Sequence, residues 1–273
     1  MATKEEFQKY ILNDYPRYNL QDKFSFSCKP GMSCFNKCCN DVNIFLTPYD
    51  IIRMKNRLGI SSTEFLKKYT LIPLEENLKH PVVMFRMQEG SLDCNFVDKE
   101  KGCTIYEDRP WACRMFPVGL ASPGDDSRDL DEEFYFLLKE EVCKGFEEEG
   151  AKEWTVEEWM KDQGVEEYVE MGDLFKDISL HPRIQSNRPM EPVKLEMFYT
   201  VCYDIDKFRN LVFNSSFFKR FDVSDAEKEK MNNDDSELLK FGFKFLRFSL
   251  FGEKDALPLK PDYRSKIMQE KVS

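Results

Sequence analysis

Four thiols fall within twelve residues in Cys28-Lys-Pro-Gly-Met-Ser-Cys34-Phe-Asn-Lys-Cys38-Cys39, a C-x5-C-x3-C-C run. A second group, Cys94, Cys103 and Cys113, is spaced C-x8-C-x9-C, and Cys143 follows 30 residues later. Thiolates are soft ligands that suit zinc or iron–sulfur clusters. Both need four donors, commonly drawn from separate stretches of chain. Two cysteine groups carried on turns match that need, and Pro30, Gly31, Gly102 and Pro110 let the backbone curl around an ion. The expected ligands are therefore Cys28, Cys34, Cys38, Cys39, Cys94, Cys103, Cys113 and Cys143. The ninth cysteine, Cys202, stands alone in an apolar stretch, where a free buried thiol is the default.

Only two histidines exist, His80 and His181, and neither lies in a cysteine group. A histidine-rich zinc or non-haem iron site is therefore disfavoured, and an all-thiolate site fits better. Adjacent side chains in extended chain point to opposite sides. Of Cys38 and Cys39, one can ligate a metal while the other serves a second metal or stays free. Eight thiols suit two four-thiolate sites, or one site plus structural cysteines. The spacings are neither the close pairs of zinc ribbons nor ferredoxin runs, so zinc and iron–sulfur stay level on spacing alone.

The rest of the composition narrows the class. The N-terminal residues are charged, and no apolar window reaches signal-peptide or membrane-spanning length. A cytoplasmic location is expected, where thiols stay reduced and a disulfide framework is not. The net charge of −10 argues against nucleic-acid binding. The basic run Arg53–Arg57 reads as the solvated face of a helix. With 41% hydrophobic residues and 24 Phe, the chain can fill a core without staples.

The elements that would position the cysteines follow from caps and periodicity. Residues 5–20 read as an N-terminal helix ended by Pro16. Thr47-Pro48-Tyr49-Asp50 starts a helix that stops at Gly59. Ser61–Glu64 starts another through Tyr69, and Thr155–Glu158 a third. Strands are expected at Val42–Leu46, Val82–Met87, Leu92–Val97 and Glu133–Leu138, and a loop or single helical turn at Glu107–Pro117. Residues 164–180 look helical, Val193–Tyr203 strand-like, and 204–221 and 225–251 mostly helical. Phe241, Phe245 and Phe248 recur at helical spacing, as a core stripe does. The segmentation is an N-terminal helix at 1–23, a cysteine-cluster domain at 24–180, a proline-rich linker at 181–192 and a mainly helical region at 193–273. The fold class is α+β, with short helices and a small antiparallel sheet around the cysteines.

Several short patterns together resemble a known family. They are Phe26-x-Cys28 with Cys34 and Cys38-Cys39, Ile44-x-Leu46-Thr47-Pro48-x-Asp50-Ile51, Cys94-x-Phe96, Gly102-Cys103-x-Ile105-Tyr106-Glu107-x-Arg109-Pro110, Cys113-Arg114-x-Phe116-Pro117, Cys143-x-Gly145 and Trp154–Trp159. Over about residues 24–163 the chain is similar to the YkgJ-type cysteine-cluster proteins. That family is described as a zinc- or iron-chelating domain without a firmly assigned activity, and its members are often labelled iron–sulfur proteins. Its opening run is tighter, near C-x2-C-x2-C-C. The resemblance implies a metal or cluster more strongly than any reaction.

Three functions are then open. The first is an iron–sulfur protein, 4Fe–4S being one form, that exchanges electrons with a protein partner. Arg109, Trp111 and Arg114 beside Cys113 would tune such a site, or serve only the fold, with Arg109 paired to a carboxylate such as Glu107 and Trp111 in the core. The second is a zinc-held structural or interaction module. The third is a group-transfer enzyme, because one relative with a similar cluster is a flagellin lysine N-methylase. No glycine-rich nucleotide loop, nucleophile–base pair or recognisable carboxylate pair supports that third reading.

Overall fold

Three helices begin with the reciprocal caps that their sequences encode. The Thr47 side chain accepts from the Asp50 amide and the Asp50 carboxylate accepts from the Thr47 amide, and Thr155 with Glu158 and Ser224 with Glu227 do the same. Gly59 ends the Pro48–Leu58 helix at a φ of 63°, a left-handed turn that glycine adopts without strain. Ser61 caps the next helix, Ser62–Tyr69.

The computed structural model describes residues 16–73, 78–121, 133–139, 141–186 and 189–263. The fold is α+β: short antiparallel ladders accompany many helices, most of them in the C-terminal part. The chain divides into two units that alternate along the sequence. One takes residues 1–45 and 85–169, the other 46–84 and 170–273. Among the described residues no helix is long and apolar enough to cross a membrane.

The first unit carries eight of the nine cysteines. Its ladders are two-stranded: Lys23–Ser25 with Glu153–Thr155, Val97–Asp98 with Gly102–Cys103, and Val118–Ala121 with Phe134–Leu137. Helices Trp111–Met115 and Val156–Asp162 complete it. The core gathers Phe24, Phe26, Met115, Val118, Leu137, Trp154, Val156, Trp159 and Val165.

The second unit is mainly helical. Helices Pro48–Leu58 and Ser62–Tyr69 pack with Ile205–Phe213 and Asp235–Leu246, and the last of these also packs on Pro192–Cys202. Ile51, Met54, Phe65, Phe198 and Phe208 are fully buried there. The phenylalanine stripe is a core stripe. Phe241 and Phe245 meet Phe217 at 5.9 and 5.1 Å between ring centres, and Phe248 meets Phe221 at 5.2 Å. Buried Lys55 pairs with Asp235 at 2.8 Å and with Asp206 at 3.4 Å.

The structure corrects several local expectations. Val193–Tyr203 is not a strand: Val193–Cys202 lies in the helix Pro192–Cys202, and Tyr203 ends it. Proline holds its first position, and burial of Phe198, Val201 and Cys202 overrides the strand preference of their side chains. Leu92–Val97 is not a return strand. Leu92 turns the chain at a φ of 58°, Asp93 makes only an isolated bridge with Asn40, and the ladder begins at Val97. Within 181–192, Pro182–Gln185 forms a helical turn that buries Ile184. Most of the N-terminal helix expected at 5–20 lies outside the described residues.

Candidate metal centre

Phe26 is the anchor of the cysteine loops. It is 3% exposed, and its ring meets Phe116 at 6.2 Å, Phe146 at 5.1 Å and Trp159 at 5.5 Å. Phe116 and Phe146 follow Cys113 and Cys143 by three residues each, so the ring that leads into Cys28 ties three cysteine-bearing segments together. Trp154 Nε1 donates to the Phe26 carbonyl and Trp159 Nε1 to that of Met115. The Ser27 amide donates to the Gly145 carbonyl at 3.0 Å. Gly145 has no room for a side chain, since a Cβ there would stand 2.3 Å from the Phe26 ring and 2.8 Å from the Ser27 oxygen.

The other cysteines are tied by backbone. The Cys94 amide donates to the Cys39 carbonyl at 2.8 Å, beside a bridge between Asn40 and Asp93. The Val97 amide donates to the Cys94 carbonyl at 3.2 Å, and Val97 lies opposite Cys103 in the ladder. Cys38 and Cys39 sit in a 3-10 turn, Lys37–Cys39, rather than in extended chain. Consecutive side chains there diverge by about 120°.

Two buried arginines brace the segment between Cys103 and Cys113. Arg114 donates from Nε to the Arg109 carbonyl at 3.2 Å, from Nη1 to the Gln163 carbonyl at 2.6 Å and from Nη2 to the Glu107 carbonyl. Arg109 donates to the Tyr106 carbonyl and to Gln163 Oε1, with its guanidinium 3.7 Å from the Tyr106 ring centre. Its hydrogen bonds go to those groups and not to the Glu107 carboxylate. Trp111 is half-buried and packs on the aromatic core. Gln163 gave no signal in the sequence, although both arginines depend on it. It is a lone amide some fifty residues from its partners.

The thiols stand in electrically unequal surroundings. Burial raises the pKa values of Cys94, Cys103 and Cys143, while amides two residues on, of Phe96, Ile105 and Gly145, oppose the rise by donating to the sulfurs. Cys34 accepts from the Lys144 amide at 3.3 Å and from the Cys143 thiol. Cys28 is exposed as a residue, yet the protein around its sulfur, and then Cys38, Cys34 and Cys143, push its pKa to about 11. The Cys39 thiol donates to Cys38, which lowers Cys38 to about 7 and raises Cys39. Arg109 lies beside Cys103 and Cys113, and burial lowers its own pKa. None of the nine cysteines is joined in a disulfide.

The thiols are neighbours without being closed on a point. Among the described residues no group of three or more His, Cys, Asp or Glu side chains would hold an ion as it stands. Cys202 belongs to the other unit, fully buried at the end of its helix, where burial pushes its pKa well up. Both histidines also belong to that unit. His80 packs on Phe198, and His181 stacks on Phe251 and caps Pro182–Gln185.

Sulfur donors served by amide N–H groups suit the soft metals that thiolates select, zinc and iron. The fold is thus α+β, with eight cysteines gathered in one unit. Residues 27–150 match the model of the CxxCxxCC family, described as "Putative zinc- or iron-chelating domain". Comparison with curated proteins and with solved structures gives no match.

Proposed function

We propose that Cys28, Cys34, Cys38, Cys39, Cys94, Cys103, Cys113 and Cys143 ligate iron–sulfur chemistry, and that the protein transfers electrons in a reducing cytoplasm. The observation that carries this reading is a donor set of eight thiols with amide N–H groups aimed at the sulfurs and no imidazole in the unit. A bound cluster supplies one-electron exchange. The chain's own part is to hold the thiols, to donate N–H groups to their sulfurs and to place the Arg109 charge beside Cys103 and Cys113. Such donors and charges favour the reduced, more negative state. Cys28 and Cys38 are exposed, which leaves a protein partner an approach to the site.

The test is iron, zinc and acid-labile sulfide per chain, with a visible spectrum, on protein purified without oxygen. Iron with matching sulfide and a broad visible band supports the redox reading. Zinc without sulfide sinks it and leaves a zinc-held module. One observation favours that second reading: between Phe26 and Asn40 the only regular structure is the turn Lys37–Cys39, so the loop needs an internal tie.

A further inference from the structure

The eight thiols sort into two sets of four. In the first, the Lys144 amide and the Cys143 thiol both donate to the Cys34 sulfur, the former at 3.3 Å. The residue before Cys28 is bonded to Gly145, two after Cys143. Cys28 has Cys38, Cys34 and Cys143 as its thiol neighbours, and Cys143 has Cys34 and Cys38. In the second set, the Cys94 amide is bonded to the Cys39 carbonyl and the ladder brings Cys103 up beside the Cys94 loop. Cys39 has Cys94 and Cys113 as neighbours, Cys94 has Cys103, and Arg109 lies against both Cys103 and Cys113.

Cys38 joins the sets, since it touches Cys39 and stands near Cys103. This seam falls in the 3-10 turn, where adjacent side chains diverge. Four thiolates complete a structural zinc site or a cubane or rhombic cluster, and one such centre has no use for eight.

We infer that the unit holds two four-thiolate metal centres, one on Cys28, Cys34, Cys38 and Cys143, the other on Cys39, Cys94, Cys103 and Cys113, back to back across the Cys38–Cys39 peptide. The inference rests on the metal-chelating reading but not on which metal is bound. Each centre draws on the 28–39 loop and on a later stretch of chain, so neither forms until both parts of the unit are in place.

Native mass spectrometry of the full chain, reconstituted with zinc alone, tests the partition. The wild type should carry two zinc ions. Cys28→Ser with Cys143→Ser should carry one, Cys94→Ser with Cys113→Ser one, and all four changes together none. Tryptophan fluorescence checks that each variant is folded. A second measurement needs no variant: in the one-zinc species of the wild type, alkylation followed by peptide mapping should find, besides buried Cys202, four protected cysteines, all from one set. A wild type saturating at one zinc, or protected cysteines mixed across the sets, overturns the partition while leaving chelation intact. A wild type that holds no metal, either as purified or reconstituted, overturns the chelating reading and the partition with it.

Discussion

Replacing Arg114 with methionine keeps the length of the side chain and removes every donor. Arg114 is 6% exposed and makes three hydrogen bonds to carbonyls, those of Glu107, Arg109 and Gln163. Hydrogen bonds from a charged group contribute about 1.5–3 kcal/mol each. Glu107 is at the surface, so water can serve its carbonyl after the change, and the lower end of that range applies. The expected loss is about 4 kcal/mol of first-unit stability, from three bonds at roughly 1.5 kcal/mol less that relief. The guanidinium also lies 4.7 Å from the Tyr168 ring centre, a contact that methionine largely replaces by packing. All three tryptophans, Trp111, Trp154 and Trp159, lie in the first unit, so their fluorescence follows that unit alone. With a urea slope near 2 kcal/mol per molar, the unfolding midpoint should fall by about 2 M at a fixed metal load. Arg114→Lys should recover little, because an ammonium cannot span three carbonyls in a plane. The braced segment lies between Cys103 and Cys113, so zinc affinity should also drop, by about 10–100-fold as for other residues that orient ligands. A midpoint shift below about 0.3 M, comparable with extrapolation error, would refute this account. A lysine variant as stable as the wild type would refute it too.

Two further outcomes are expected. Gly145→Ala must push the Phe26 ring and the Ser27 carbonyl apart, at about 1–3 kcal/mol for overpacking. The fluorescence midpoint should fall, whereas Gly172→Ala, which meets open space in a helix, should leave it unchanged. Zinc affinity should rise steeply with pH. Cys28 near 11 and the raised Cys39, Cys94, Cys103 and Cys143 are protonated at neutrality, and ligation must expel those protons. Lowering the pH favours the protonated thiols and so weakens binding, on the order of a hundredfold or more per unit wherever two or more protons leave per metal. A chelator-competition titration between pH 6 and 8 that gives a flat profile contradicts this.

The parts of the molecule that were legible in the sequence are those written locally. Thr47-x-x-Asp50 and Thr155-x-x-Glu158 encode their caps within four residues, and Phe241, Phe245 and Phe248 encode their face by spacing alone. The cysteine inventory was equally plain, because the residue type itself carries the chemistry. Its sorting was not, since the neighbours of Cys34 and Cys39 come from residues 143 and 94, which only the fold brings near. The arginine brace escaped for the same reason: Arg109 and Arg114 meet Gln163 across some fifty residues. At Val193–Tyr203 the composition favoured a strand, and packing within a helical unit decided otherwise.

The alternation of the two units along the chain has a consequence in time. Helices Pro48–Leu58 and Ser62–Tyr69 bury Ile51, Met54 and Phe65 in a unit whose other helices come from beyond residue 170. About 166 residues separate Tyr69 from Asp235, the acid that pairs with Lys55. At a synthesis rate of about 5–20 residues per second, these helices wait roughly 8–33 s on the ribosome for their partners. The cysteine-bearing unit, by contrast, is fully synthesised by residue 169. It can therefore meet its metal while the helices inserted between its two halves are still waiting for theirs. The nascent chain must keep that apolar stretch from aggregating during the interval.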